Sequence, residues 1–288
     1  MSTNPFPARI HVLLARSARR ALVIRRGPST HTCVIDWDRN TETFEVCQWF
    51  KGRLYERRSD ISPDGKHWIY FAMNGKWQSE TLGAWTTVAR TPWLKAISLY
   101  AKGNCWNGGG LFLTNRTFWL NDGLGHSPLF ESSHVHRNLN FHADQHYGAE
   151  CPHVYYNRLQ RDGWQLLNAE EVRQKVGRAV FERPITGDWT LRKICHEEFP
   201  SKKGRGGYWD SHELANRERT VEHTDWEWAD WVDNSIIFAQ NGCLYEQKIS
   251  QAGDIGDCRM LHDFNPYTFE RRIAPSIHPE RYIASEQP

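Results

Sequence analysis

The chain has 288 residues, 24% of them charged and 39% hydrophobic, proportions that suit a folded globular protein and exclude a disordered one. Its 36 Lys and Arg nearly balance 34 Asp and Glu, and the resulting net charge of +2 is a weaker bias than nucleic-acid binding normally shows. No apolar run approaches the roughly eighteen residues of a membrane-spanning helix, which excludes that class of membrane protein.

The first predicted strands, "IHVLLA", "ALVIR" and "TCVIDW", sit in the most basic part of the chain. Residues 1–58 hold 11 Lys and Arg against 5 Asp and Glu, and Arg9, Arg16, Arg19, Arg20, Arg25 and Arg26 could line one strand face as a basic patch or form a solvated one. "IHVLLA" is too short for a signal-peptide core, and Arg16, Arg19 and Arg20 follow it at once, so a cytoplasmic location is expected. The seven cysteines are scattered, with no C-x-x-C pair, and read as reduced, mostly buried thiols.

Further strands follow as "HWIYFAM", "LKAISLYA", "LFLTNRTFWL", "HVYYN", "RAVFERPI", "SIIFAQ" and "CLYEQKI", bounded by Gly, Asn, Asp and Pro. The spacing from Asn168 to Glu171 in "NAEEVRQKV" predicts one short helix over 168–176. Tight polar turns recur, each followed by an aromatic residue entering the next strand: Phe44, Trp77, Trp119, Trp164, Trp189 and Tyr245. Asn-Gly and Asp-Gly at such places favour hairpins. Their spacing, uneven but averaging about forty residues, falls in the range of propeller blades. The 14 Trp, 10 Tyr and 13 Phe suit an aromatic-rich β core, or a surface of stacking platforms.

"DISPDGKHWIYFAMNGK" carries Ser62, Pro63, Asp64 and Gly65, then Trp68 to Phe71, then Asn74 and Gly75. It resembles the repeat of Tol-type and other bacterial β-propellers, in which a Ser-Pro-Asp-Gly turn precedes an inner strand and a hairpin. A second copy, "WADWVDNSIIFAQNGCLYEQKI" (228–249), places Asp233-Asn234 where Pro-Asp-Gly stands in the first. The resemblance implies an all-β chain: one β-propeller domain over residues 1–288, of five blades (six as the alternative), with one short helical insertion and with "RIHVLLA" and "YTFERRIA" closing the ring. A β-sandwich or split barrel is the structural alternative.

Two constellations could carry chemistry. Five of the 14 histidines fall in residues 134–153: His134, His136, His142, His146 and His153. On an extended strand His142, Asp144 and His146 would project from one face and could hold a divalent metal such as zinc; no other cofactor is expected. The acids Asp36, Asp38, Asp122, Asp225 and Glu227, flanked by Trp or apolar residues that include Trp226 and Trp228, form a candidate ligand-binding set. Propeller glycosidases use such inner-strand carboxylates as an acid and a nucleophile or base, in a cleft lined with aromatics. Phosphate-loop, nucleophile-elbow and H-E-x-x-H signatures are missing. The first expectation is a noncatalytic propeller binding a protein partner, or another ligand such as a carbohydrate, on one face. A metal-assisted hydrolase or glycosidase with an axial site comes second, and nucleic-acid binding through the N-terminal arginines last.

Overall fold

The computed structural model describes residues 6–27, 30–123, 125–169 and 176–275. The chain gathers into two compact units. One comprises residues 12–158 with the tail from Thr268, the other residues up to His11 with Leu159–Tyr267. Both are β-rich, and among the described residues the strands form five sheets.

The larger unit opens with β1 (Arg9–Leu14, its first residues counted with the other unit), β2 (Arg20–Arg26), β3 (His31–Asp38) and β4 (Thr43–Lys51), paired in chain order. Next come β5 (Arg53–Ile61), β6 (His67–Met73), β7 (Ala84–Arg90), β8 (Ala96–Ala101), β9 (Gly110–Phe112), β10 (Thr117–Leu120), β11 (Ser127–Phe130) and β12 (His136–Arg137). The second sheet runs β11-β8-β7-β6-β5 and the third β12-β10-β9. Pairing is antiparallel except at β12, which meets β10 in parallel through Thr117 and Phe118.

Strand β6 shows why the middle sheet reads as a continuous apolar run. Trp68, Tyr70 and Ala72 join a core with Leu22, Ile24 and Val34 of the first sheet. Ile69, on the other face, joins Phe112, Phe118 and Leu120 of the third. Both faces are therefore covered, and alternation gives way to unbroken burial over 68–72. The polar tips of that core are satisfied, since Trp68 Nε1 donates to Trp93 O (2.8 Å) and Tyr70 OH to Leu94 O (2.7 Å).

The Ser-Pro-Asp-Gly turn joins β5 to β6. Gly65 N donates to Ser62 O (2.8 Å), and Ser62 Oγ accepts from the backbone N–H of both Lys66 (3.1 Å) and His67 (3.0 Å). Gly65 has φ +72°, and a Cβ there would lie 3.2 Å from Ala15 Cβ, so conformation and space both call for glycine.

The smaller unit holds β13 (Gln165–Ala169), β14 (Val176–Pro184), β15 (Thr190–Glu198), β16 (Tyr208–Ala215) and β17 (Thr220–His223) as one antiparallel meander. A second meander follows: β18 (Trp228–Val232), β19 (Ser235–Gln240), β20 (Cys243–Ile249) and β21 (Ile255–Asp263). Asp233 and Asn234 both have positive φ (51° and 63°), as do Asn241 and Gly242 (52° and 78°). These are the two-residue primed turns that strand twist favours, so the hairpins at 232–235 and 240–243 form as expected.

Five expectations are corrected. "HVYYN" lies within α1 (Cys151–Arg161), the one helix among the described residues, and not in a strand. Its aromatics suggested β structure, but the buried Cys151, Val154, Tyr155, Arg158 and Leu159 recur at helical spacing, and Pro152 suits a first turn. The helix expected at 168–176 is not the one observed: Asn168 and Ala169 end β13, Val176 begins β14, and 170–175 lie outside the described residues. "RDGW" closes α1 rather than a hairpin, with Trp164 N donating to Leu159 O (3.0 Å). Trp77 does not enter a strand either; it sits 48% exposed in the loop between β6 and β7.

Nor does "YTFERRIA" form a strand. Residues 268–275 run without regular structure along β4, where Arg272 NH1 donates to Val46 O (2.5 Å) and Phe269 packs on His31 and Trp49. Strand β1 lies beside β2. Among the described residues no disulfide forms, with Cys105 and Cys258 exposed and the other five thiols buried. No helix there is long and apolar enough to cross a membrane.

Candidate functional site

A cavity of about 300 Å³ opens in the larger unit beside β8, β11 and the two-residue strand β12. Tyr100, Glu131, Ser132, His136 and Arg137 supply its polar wall. Pro128, Val135 and Leu139 supply the apolar one. Tyr100 comes from the end of β8, where its ring packs edge-on to Phe118. Its hydroxyl donates to Glu131 Oε1 at 2.5 Å. Burial pushes this phenol well above its ordinary range, Glu131 reinforces that, and Arg137 opposes it.

Arg137 is anchored from behind. Its NH2 donates to Asp122 Oδ2 (2.5 Å), while Asp122 Oδ1 holds His126 Nδ1 (2.8 Å). His126 Nε2 lies 3.1 Å from Thr86 Oγ1, which also accepts from Gly109 N (2.9 Å). Burial lowers the His126 pKa from 6.5 to about 4, despite the neighbouring carboxylate, so the ring is neutral. Its Nδ1–H therefore donates to Asp122, and Nε2 accepts from the threonine hydroxyl. Lys102 completes the support, donating to Gly123 O (2.9 Å) and Gly125 O (2.6 Å).

The order carboxylate, imidazole, hydroxyl has the form of a nucleophile triad, yet its chemistry is structural. Thr86 is fully buried, leaving the hydroxyl no route to a substrate. A base held near 4 is also far from the near-neutral value general-base catalysis requires.

Three groups at the cavity keep open valences among the described residues. Glu131 uses one carboxylate oxygen, Arg137 uses one guanidinium nitrogen, and the His136 ring engages none of its nitrogens. Of the acids expected to bind ligand, Asp122 alone belongs here, one step behind the cavity through Arg137. Tyr100, Glu131 and Arg137 carried no motif; His136 lies in the histidine-rich stretch and was not singled out from it.

The other expected residues stand elsewhere. Asp36 on β3 is gripped by Arg20 through both oxygens (2.8 and 2.7 Å), which raises the arginine's pKa. Asp38 caps the following turn, accepting from Asn40 N (2.8 Å), and that bond holds the carboxyl below its usual range. In the smaller unit, Asp225 is bonded by Gln240. Glu227 N donates to Ala239 O (2.9 Å). Trp226 and Trp228 are only 3% and 4% exposed, so these rings pack the interior and offer a ligand no face. Trp226 stacks between His223 (3.7 Å) and Phe238 (4.1 Å), and Trp228 lies 6.0 Å from the buried Lys193 Nζ.

His142, Asp144 and His146 are exposed on an irregular loop, so the strand alternation that would aim them together is missing. Among the described residues no three His, Cys, Asp or Glu side chains are gathered as a metal-ligand group. The His146 ring instead lies 4.4 Å from that of His153, whose pKa burial lowers to about 4. The N-terminal arginines are divided among separate partners; Arg20 holds Asp36, and Arg26 pairs with Glu56 at 2.5 Å.

No family model, curated protein or solved structure matches this chain.

Proposed function

We propose that this chain is a noncatalytic, cytoplasmic β-propeller of five blades that binds a protein partner or a small ligand on one face, with the cavity of Tyr100, Glu131, His136 and Arg137 as the point of contact. The five sheets support the propeller, because each is built from strands close in sequence and the middle sheet of the larger unit is covered on both faces. The observation that carries the binding reading is the convergence of three partly unsatisfied polar side chains on one cavity. Meanwhile the acids that glycosidase chemistry would use are taken up in an ion pair at Asp36 and in a turn cap at Asp38.

The test compares the full chain with a Glu131→Gln/His136→Ala double variant of equal melting temperature. Both are purified from cells, and whatever travels with each is identified by mass spectrometry. A defined ligand or partner present on the parent and missing from the variant supports the reading. Equal recovery from both would sink it. Turnover of a glycoside or ester panel that the double variant loses would move the site to the enzyme reading.

A further inference from the structure

We propose that the cavity beside β12 takes a small zwitterion, an α-amino acid with an apolar side chain. The inference rests on the binding reading above and assigns the class of ligand to that same site. At about 300 Å³ the cavity lies at the small end of ligand pockets. Its wall carries both signs of charge close together. Glu131 receives the Tyr100 hydroxyl at 2.5 Å, and Arg137 lines the same cavity as that pair.

That pairing selects the ligand. A simple anion would gain Arg137 and meet the Glu131 carboxylate; a simple cation would gain Glu131 and meet the guanidinium. A molecule with an ammonium and a carboxylate on neighbouring atoms satisfies both. Its carboxylate accepts a charge-assisted hydrogen bond from an Arg137 N–H left open by the Asp122 pair, with His136 on the same wall. The ammonium faces the free Glu131 oxygen, whose partner oxygen is fixed by Tyr100. Pro128, Val135 and Leu139 are then left to the side chain, and favour an aliphatic or aromatic one. Asp122, His126 and Lys102 hold the arginine and its loop before any ligand arrives, so little ordering is left for binding to drive.

Calorimetric titration of the full chain with L-valine, L-leucine and L-phenylalanine tests this directly. Leucinamide lacks the carboxylate and 4-methylpentanoate lacks the ammonium; each is expected to bind about tenfold or more weakly than leucine. Glu131→Gln keeps an acceptor for Tyr100 and is expected to weaken leucine about tenfold while 4-methylpentanoate, relieved of the facing carboxylate, binds no more weakly than to the parent. Leucine binding no better than both analogues, leucine unaffected by Glu131→Gln, or no amino acid binding at all would each overturn the proposal. The analogue comparison uses the parent chain and survives if the variant is unstable. Should no amino acid bind while the double variant still loses some other recovered ligand, the zwitterion assignment falls and the binding reading stands.

Discussion

The sheet β18–β21 and the short sheet β9-β10-β12 treat polar and aromatic side chains in opposite ways. In the first, regular pairing seals Trp226 and Trp228 inside, and the His223, Trp226, Phe238 and Tyr245 rings form one continuous stack. In the second, β12 is two residues long. Its His136 and Arg137, with Glu131 just after β11, line an open cavity in place of a packed face. The tryptophans of the acid-rich run pack the interior, whereas the proposed binding cavity lies at a break in regularity.

The largest expected effect tests the structural half of that contrast. Trp226→Ala removes the centre of the ring stack and should cost about 3–5 kcal/mol in urea unfolding. A cost near that of an exposed residue would return Trp226 to the list of ligand contacts. Next comes pH. The His126 pKa falls from 6.5 to about 4 on folding, so between those values the unfolded chain takes up a proton that the folded chain refuses. Stability should fall as pH drops through that window and level off below it. His126 contributes up to about 3 kcal/mol of the loss. His67, also lowered to about 4 by burial, adds to the slope. Urea midpoints measured from pH 7.5 to 4 should show the decline, and His126→Gln should make it shallower; a flat profile would contradict a neutral, buried His126.

How much of this was legible beforehand depends on what each element buries. Strands β2, β3, β6 and β19 announce themselves as apolar runs because both faces are covered. Strands β15 and β16 do not, since their interior positions include Lys193, Asp210 and His212, polar residues that break the pattern while being almost fully buried. Lys193 is accommodated by Ala229 O (2.9 Å), His212 Nε2 (3.1 Å) and the Trp164 ring, and nothing local in sequence predicts that arrangement. In α1 a helical spacing was hidden under residues typical of strands. At the cavity, Asp122 stood out as an acid among apolar neighbours, but Glu131 and Arg137 sit where there is no period to read.

Two smaller effects sharpen the contrast. Asp122→Asn keeps one acceptor but gives up the charge that anchors Arg137, and should cost about 1–2 kcal/mol while weakening any ligand of the cavity. Smallest of all, His142→Ala and His146→Ala should each change stability by no more than about 0.5 kcal/mol. Chelation should leave the melting temperature unmoved. Stoichiometric metal lost in both variants would make the loop a site after all.

The way the two units share the chain bears on how the protein is made. Residues up to His11 belong with a unit whose remainder starts at Leu159, about 150 residues further on. At roughly 5–20 residues per second, that opening segment emerges from the ribosome about 10–30 s before its partners. Its β1 residues can pair with β2 at once, but its remaining partners, from Leu159 onward, are made only after the larger unit's strands. The tail along β4 arrives last of all, so the larger unit is finished only after the smaller one has been synthesised.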